Sequence, residues 1–433
     1  MLPVATVPVS LLEVLQACRG AFGFPAFVTF TVLVAGALAA VGPRTVTGIW
    51  TAAGMATRVH WSRAHRFFAE ARWDPDTLGL LLAGLVVERF AKSGQALTVA
   101  VDDTLFHRYG RKVFGCFWQH DGSAKGRDGI GRGNCFVIVG LVVTVPFIAR
   151  SVCLPLLFRL HLPRTSASKT EQARVMVNLL ARAFAHRRVH VVADALYRGK
   201  VWRGLPGNVT FTTRLACNAV LYAPAPPPTG KRGRPALKGN RLGSPGDLAE
   251  AAAWTRVTLT RYGERVTVDV AVVACLWWGS LRTTSVHVVL VREPDSRKLY
   301  NLALVTTDLT ATAEDLVCRY ADRWSIEQSI KDSKDHLGAG DAQNRTRAAV
   351  ERTVPFVMLN LTILTLWYHH AGNANADLAT RRAAARWYRH KRHIAVTDML
   401  VAFRRARISE ITAAHGTPQQ NPDKVLTWGS AAA

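Results

Sequence analysis

Acidic residues are scarce in this chain. It carries 30 Asp and Glu against 55 Lys and Arg, a formal charge of +25 and a pI near 10.6. Such an excess points to a polyanionic partner, nucleic acid or an anionic membrane surface. The seven cysteines (Cys18, Cys116, Cys135, Cys153, Cys217, Cys275, Cys318) are scattered and none forms a CxxC pair. That spacing argues against a zinc site and a disulfide framework, and fits a reducing cytoplasm. No internal repeat is visible. Charge is missing altogether between Arg19 and Arg44, where Ala21 to Val41 is largely apolar. The run is long enough to be weighed as a membrane span. Pro25, Thr29 and Thr31 interrupt it, and no basic segment of a signal peptide precedes Arg19, so a buried core helix is expected.

What is present is a large apolar reserve. Hydrophobic residues make up 49% of 433 positions, enough for two or three domains with a substantial core. Residues 1–95 read as helical. Within them Thr45 to Phe68 holds two short helical patterns with Gly54 near the break, the second carrying Arg58, Arg63, His65 and Arg66; a helix-turn-helix-like DNA reader and a basic packing region both fit. Residues 97–103 (LTVAVDD) switch to strand character and end in carboxylates. Asp121 to Asn134 reads as a Gly-rich basic loop, and Cys135 to Ile148 as a strand buried on both faces. Lys169 to His186 reads as a helix, and Val189 to Ala193 as a strand followed by Asp194. Strand, helix and strand in that order predict a mixed α/β sheet.

From Leu205 to Asp308 the pattern is strands, interrupted by Ala223 to Gly246, which is rich in Pro, Gly and cations and predicts an extended segment. Its KRGRP sequence, with Arg232 and Arg234, suits an A·T-rich minor groove as well as a solvated linker. Strands resume at Arg256–Val273, Val286–Val291 and Leu299–Thr306. Residues from 345 onward read as helical, with a basic run at Arg381 to Arg392. The expected division is 1–95, a helical packing or DNA-binding region; 96–204, the first part of a catalytic core; 205–308, a β-rich insertion containing 223–246; 309–345, the rest of the core; and 346–433, a basic helical region.

The stretch Arg319 to Gly340 (RYADRWSIEQSIKDSKDHLGAG) is expected to be one helix, with Thr312 and Asp315 as a capping box and Gly338 as its stop. At 100° per residue Tyr320, Arg323, Glu327, Lys331 and Lys334 fall within an arc of roughly 80°. Ile326, Ile330 and Leu337 form an apolar stripe beside it. One carboxylate among three cations and a phenol is either a solvated charged face or part of a site. Asp102, Asp194 and Glu327 are the three carboxylates that neighbouring strands and a packed helix can gather. Clustered carboxylates repel and raise one another's pKa unless cations neutralise them. Two Mg²⁺ ions, with Mn²⁺ as a substitute, would do so. Paired metals about 3.5–4 Å apart suit in-line attack at phosphorus, with the surrounding Tyr, Arg and Lys holding phosphates.

Tyr320-x2-Arg323-x3-Glu327-x6-Lys334 resembles, position for position, the Y-R-E-K signature of one group of DDE-type insertion-sequence transposases. Asp102-Asp103-Thr104 resembles the first aspartate motif of that family and Ala193-Asp194-Ala195-Leu196-Tyr197 its second. The resemblance covers roughly residues 97 to 350. It implies a ribonuclease H-like mixed α/β core flanked by helices, with a β-rich insertion between the second and third carboxylates. It implies Asp102, Asp194 and Glu327 as catalytic metal ligands, and Tyr320, Arg323, Lys331 and Lys334 on DNA phosphate. An aromatic residue near the end of the insertion would stack on a flipped base; the matching place is Tyr300, with Trp277 and Trp278 as alternatives. Since successive strand side chains face opposite ways, only one of Asp102 and Asp103 can point into the site. The D-x-T form favours Asp102, leaving Asp103 to cap the turn. The implied activity is cut-and-paste transposition on double-stranded DNA, terminal inverted repeats and target, by a homodimer in the cytoplasm at the nucleoid, with no membrane partner. A nuclease without strand transfer and a catalytically idle DNA-binding derivative are the alternatives.

Overall fold

The computed structural model describes residues 7–122, 129–163, 167–227 and 235–415. Five helices come first: α1 (Val9–Gln16), α2 (Phe24–Ala39), α3 (Val46–Ala52), α4 (Ser62–Ala69) and α5 (Pro75–Phe90). They lead into β1 (Leu97–His107), β2 (Phe117–His120), β3 (Ile130–Val143), β4 (Val152–His161), α6 (Lys169–Ala183) and β5 (Val189–Ala193). Next come β6 (Val209–Arg214), β7 (Leu221–Tyr222), β8 (Arg241–Gly243), α7 (Pro245–Ala251), β9 (Thr255–Arg261), β10 (Glu264–Leu276), α8 (Trp278–Leu281), β11 (Ser285–Arg292) and β12 (Leu302–Thr306). The remainder is helical: α9 (Ala313–Asp322), α10 (Ser325–Leu337), α11 (Arg347–Ala371), α12 (Ala374–Ala384) and α13 (Val396–His415).

The centre of the sheet runs β4-β3-β1-β5-β6. β3 is antiparallel to both β1 and β4, whereas β5 and β6 run parallel to β1. Five strands in this order with one reversed strand are a ribonuclease H-like core. The strands between Asp194 and Glu327 extend the same sheet: β12 pairs antiparallel with β6, and β11, β10 and then β9 and β7 follow. The result is one mixed sheet of twelve strands, antiparallel over most of its width.

Helices cover it. α5, α10 and α11 lie against β4, and α6 lies against β3 and β4. α11 is long and apolar enough to cross a membrane, yet 89% of its apolar window is buried inside the protein, because α1, α2, α4, α5 and α13 pack around it. α2, the uncharged run, is likewise a core helix, with Phe27, Phe30, Leu33 and Leu38 among its buried residues. Phe30 of α2 and Phe67 and Phe68 of α4 meet Phe356 of α11 edge to face. Arg58 precedes α4 rather than lying on it, and Arg63 is spent on Thr29 Oγ1 at 2.9 Å.

Two departures from the sequence-based expectation, and one strand it did not address, have local causes. β3 starts at Ile130, inside the segment expected to be a loop. Its glycines allow the close crossing: a Cβ on Gly133 would stand 2.1 Å from the Phe106 carbonyl oxygen of β1. β4, which lies outside the expected strands, contains Pro155, and the proline sits where the β3–β4 register slips between Val139 and Gly140, a bulge of the kind at which a strand tolerates proline. β8 and the start of α7 lie within 223–246; Arg232 and Arg234 lie outside the described residues.

Candidate active site

β1 runs straight through Asp102 and Asp103, so the two carboxylates face opposite sides of the sheet. Asp103 points to α6. Its carboxylate takes Lys169 Nζ at 2.6 Å and accepts from the Tyr197 hydroxyl at 2.9 Å, with Cys135 Sγ at 3.4 Å. It pairs across the sheet rather than capping a turn. Asp102 points the other way, to α10, where Arg323 Nη1 stands 3.5 Å from its Oδ2. Asp194 follows directly on β5. Val101 is the register partner of Ala193 in the parallel β1–β5 pair, which sets Asp194, just past the end of β5, beside Asp102 in the middle of β1. A 3₁₀ turn, Ala195–Tyr197, follows Asp194, and the Tyr197 bond to Asp103 ties that turn to β1 from behind.

The expected single helix is two. α9 ends at Asp322 and α10 begins at Ser325, with a tightened turn at Arg323 and Trp324. Four bonds there are of the i to i−3 type: Arg323 to Tyr320, Trp324 to Ala321, Ile326 to Arg323 and Glu327 to Trp324. At the start only half of the expected capping box forms: Thr312 accepts from the Asp315 amide at 3.1 Å. Gly338 ends α10 as expected, with φ +73, a left-handed conformation that favours glycine. The buried stripe of α10 is Ile326, Ser329, Ile330, Ser333 and Leu337. Two serines on this stripe keep the helix close to the sheet, and Ser329 Oγ reaches the Cys153 carbonyl of β4 at 2.5 Å. That seating carries Glu327 to the Asp102 side of the sheet, where Arg323 Nη2 binds Glu327 Oε1 at 2.9 Å.

Arg323 therefore bridges Asp102 and Glu327. Asp194, Glu327, Tyr320 and Arg323 line one cleft of about 360 Å³, joined by Arg214, Tyr262 and Trp324. These last three were not singled out from sequence. Arg214 ends the strand after Asp194, Trp324 sits inside the signature itself, and Tyr262-Gly263 between two alternating runs is a hairpin signal. Tyr262 adopts φ +56, a strained conformation for a bulky residue, and is 56% exposed over the cleft.

The remaining sequence candidates are dispersed. Lys331 is exposed on α10. Lys334 turns back onto β1 and donates to Thr104 Oγ1 at 2.7 Å and the Leu105 carbonyl at 2.9 Å. Tyr300 is half-buried against the main core, near Cys217 and Arg214. Trp277 is buried, and Trp278 lies under Lys238 and Arg282.

Burial dominates the electrostatics. It pushes the Asp102 carboxyl up to about 7, against the opposing pull of Arg323 and the Asp103 amide, while Asp103 and Glu327 add to the rise. Burial lowers Lys334 and raises Tyr320. For Arg323 burial works against its charge, but Tyr320, Asp102 and Glu327 outweigh it and the guanidinium is held above its usual value. Its Nε and Nη1 are buried and make no hydrogen bond of good geometry. Among the described residues no three acidic, His or Cys side chains are gathered closely enough to bind a metal as they stand. The donor set nevertheless fits a hard divalent cation: three carboxylates, no soft ligand, and one carboxyl whose charge is under-compensated.

A ribonuclease H-like sheet with one carboxylate within β1, one directly after β5 and one on a helix packed against β4 and β1 defines a class, the nucleases and transposases built on that core. Residues 23–270, more than half of the chain, match the family model described as DDE superfamily endonuclease, and the chain belongs to that family. The matched span contains Asp102 and Asp194 and stops before Glu327. Among curated proteins no sequence matches. A cryo-EM structure of the piggyBac transposase synaptic complex with hairpin DNA is similar at 11% identity and a TM-score of 0.39, over 94% of this chain and 75% of that one.

Proposed function

We propose that the protein is a cut-and-paste DNA transposase that cleaves at element ends and joins them to target DNA, with Asp102, Asp194 and Glu327 as its catalytic carboxylates. The observation that carries this reading is their convergence, with Tyr320 and Arg323, on one side of a ribonuclease H-like sheet. In this reading the three carboxylates hold divalent cations, two Mg²⁺ or Mn²⁺, which supply Lewis acidity and charge neutralisation at the phosphoryl group. The protein's own groups do the positioning. Asp102 sits largely buried behind Arg323, where a charged group interacts strongly because water is scarce. Arg323 is the counter-ion of Asp102 and Glu327 without substrate, and release from those carboxylates would free its guanidinium to grip a phosphate oxygen. Tyr320 and Arg214 complete that grip, while Trp324 and Tyr262 wall the cleft and orient the strand. Lys334, bonded to Thr104 and Leu105, fixes α10 on β1 and so holds Glu327 in place; its remaining N–H is left for a phosphate. Two ends must be held together for joining, so the working form is a dimer on DNA.

The test is purified protein with a labelled terminal-repeat duplex and Mg²⁺. Joined products support transposition. Cut products without joining favour a nuclease, and binding without cutting favours an idle DNA-binding derivative. Loss of cutting in Asp102→Asn, Asp194→Asn and Glu327→Gln, with binding retained, assigns the three carboxylates.

A further inference from the structure

The segment Arg381 to His393 (RRAAARWYRHKRH) is the strongest charged feature away from the cleft, with six Arg and Lys and no Asp or Glu. It is a fixed turn. Buried Asp398, in the first turn of α13, takes Lys391 at 2.8 Å and Arg381 at 3.5 Å and accepts the Ala395 amide at 2.8 Å. The Tyr388 ring lies under both cations, 4.4 Å from Arg381 and 5.6 Å from Lys391. These contacts staple the two ends together and leave the middle outward. Arg386, Arg389 and Arg392 are exposed, and among the described residues none of the three has a carboxylate partner. Trp387 stands among them 80% exposed. An immobilised turn presenting a bare indole between unpaired arginines is composed like a binding surface: Arg and Trp are the residues that anchor interfaces, and a free arginine fork matches phosphate.

Its place in the fold connects it to the cleft. The Ile394 amide, directly after the segment, donates to the Phe147 carbonyl at 3.2 Å. Phe147 belongs to the β3–β4 connection, which also carries Arg150 and Ser151. Arg150 Cγ lies 3.5 Å from the Cβ position of Gly263, next to Tyr262 at the cleft, and Ser151 bonds Asp322 just before Arg323. From Phe147 to Arg150 is about 10 Å of extended chain at most. The β3–β4 connection thus joins the base of the turn, at Ile394, to residues next to Tyr262 and Arg323.

We propose that the Arg386–Arg392 turn is a second DNA-contact surface, taking backbone phosphates of the duplex that runs on from the cleft. It rests on the DNA reading above and assigns the region that the cleft does not explain. The probe is a fluorescein-labelled mixed-sequence duplex of about 40 bp, bound by the full chain in Ca²⁺ and followed by anisotropy from ~50 to ~200 mM salt. The triple variant Arg386→Ala, Arg389→Ala, Arg392→Ala should lower the slope of log affinity against log salt by about 2–3, at roughly 0.9 for each phosphate no longer neutralised. The corresponding Lys variant should restore the slope, because the charge and not the fork sets it. Trp387→Ala should weaken binding several-fold with the slope unchanged, since an apolar contact releases no counterions. Wild-type binding with an unaltered slope in the triple-alanine variant overturns this inference and leaves the transposase reading intact. A loss seen only with phosphatidylglycerol vesicles overturns it in favour of a membrane surface. A wild type that binds no duplex overturns both.

Discussion

Adjacent aspartates on one strand should respond oppositely to the same substitution. Asp103→Asn keeps the shape of the side chain but removes the charge facing Lys169 at 2.6 Å, a pair whose side chains are only 22% and 14% exposed. It also disturbs the Tyr197 hydroxyl bond. A charge-assisted bond contributes about 1.5–3 kcal/mol, and breaking a fully buried pair costs about 3–5 kcal/mol. With partial exposure the expected loss is about 2–3 kcal/mol. Asp102→Asn should stabilise the metal-free protein. Raising that carboxyl from 3.8 to about 7 means its charge at pH 8 costs up to ~4 kcal/mol, of which losing the Arg323 partner returns part. The net gain is ~1–3 kcal/mol. The direction with pH follows: a raised carboxyl pKa contributes stability below its unfolded value and loses it as pH climbs through about 7, so the Asp102→Asn advantage is present at pH 8 and absent at pH 4. The assay is urea denaturation in chelator at both pH values; midpoint temperature is a blunt measure here, at about 1 °C per kcal/mol for a chain this long. If Asp103→Asn is as stable as wild type, or Asp102→Asn falls with it at pH 8, the two faces have been assigned wrongly.

Arg323→Ala should assemble fewer paired-end complexes in Ca²⁺ and cut them poorly after a switch to Mg²⁺, whereas Glu327→Gln should assemble and not cut; equal behaviour of Arg323→Ala and wild type in gel shift would reduce Arg323 to a structural counter-ion of Asp102 and Glu327. His190 is buried beside Thr210 and Asp308, and burial together with Arg319 holds it down to about 4. A depressed His pKa contributes stability above its unfolded value near 6.5 that is lost as pH falls toward 4, so acid should remove up to ~3 kcal/mol that His190→Gln does not lose, as read by urea titration at pH 7 and 4.5. Ser333→Leu should overpack the seat of α10, costing about 1–3 kcal/mol and lowering cleavage with it; unchanged activity would show that Glu327 does not depend on that seating.

The sequence by itself determined the local facts of this protein. Periodicity and β-branched runs located β1, β5, α6 and the core helix α2, and Gly338 marked the end of α10, because hydrophobic pattern and left-handed φ are properties of a few consecutive residues. The spacing of Tyr320, Arg323 and Glu327 survived the break at Arg323–Trp324, since an i to i−3 turn still brings such neighbours to one side. The alternation of a strand reduced the first aspartate to two choices and could go no further.

Only tertiary structure decided what each face of β1 meets. α10 seats its serines on β4 on one side and α6 brings Lys169 to the other, so Asp102 meets Arg323 and Glu327 while Asp103 is consumed by Lys169 and Tyr197. The glycines of β3 misled a local reading, and β4 with its Pro155 fell outside the expected strands, because a close strand crossing and a register slip exist only between strands. Lys334 reads as a phosphate ligand on a helical wheel, yet its first partners are Thr104 and Leu105, some 230 residues away in sequence. Arg214 and Tyr262 joined the cleft, and the base of the Arg386–Arg392 turn was tied to the β3–β4 connection, through strand pairing and loop contacts that link distant segments. Such placements carry no periodic trace in the chain, because they depend on where other elements end.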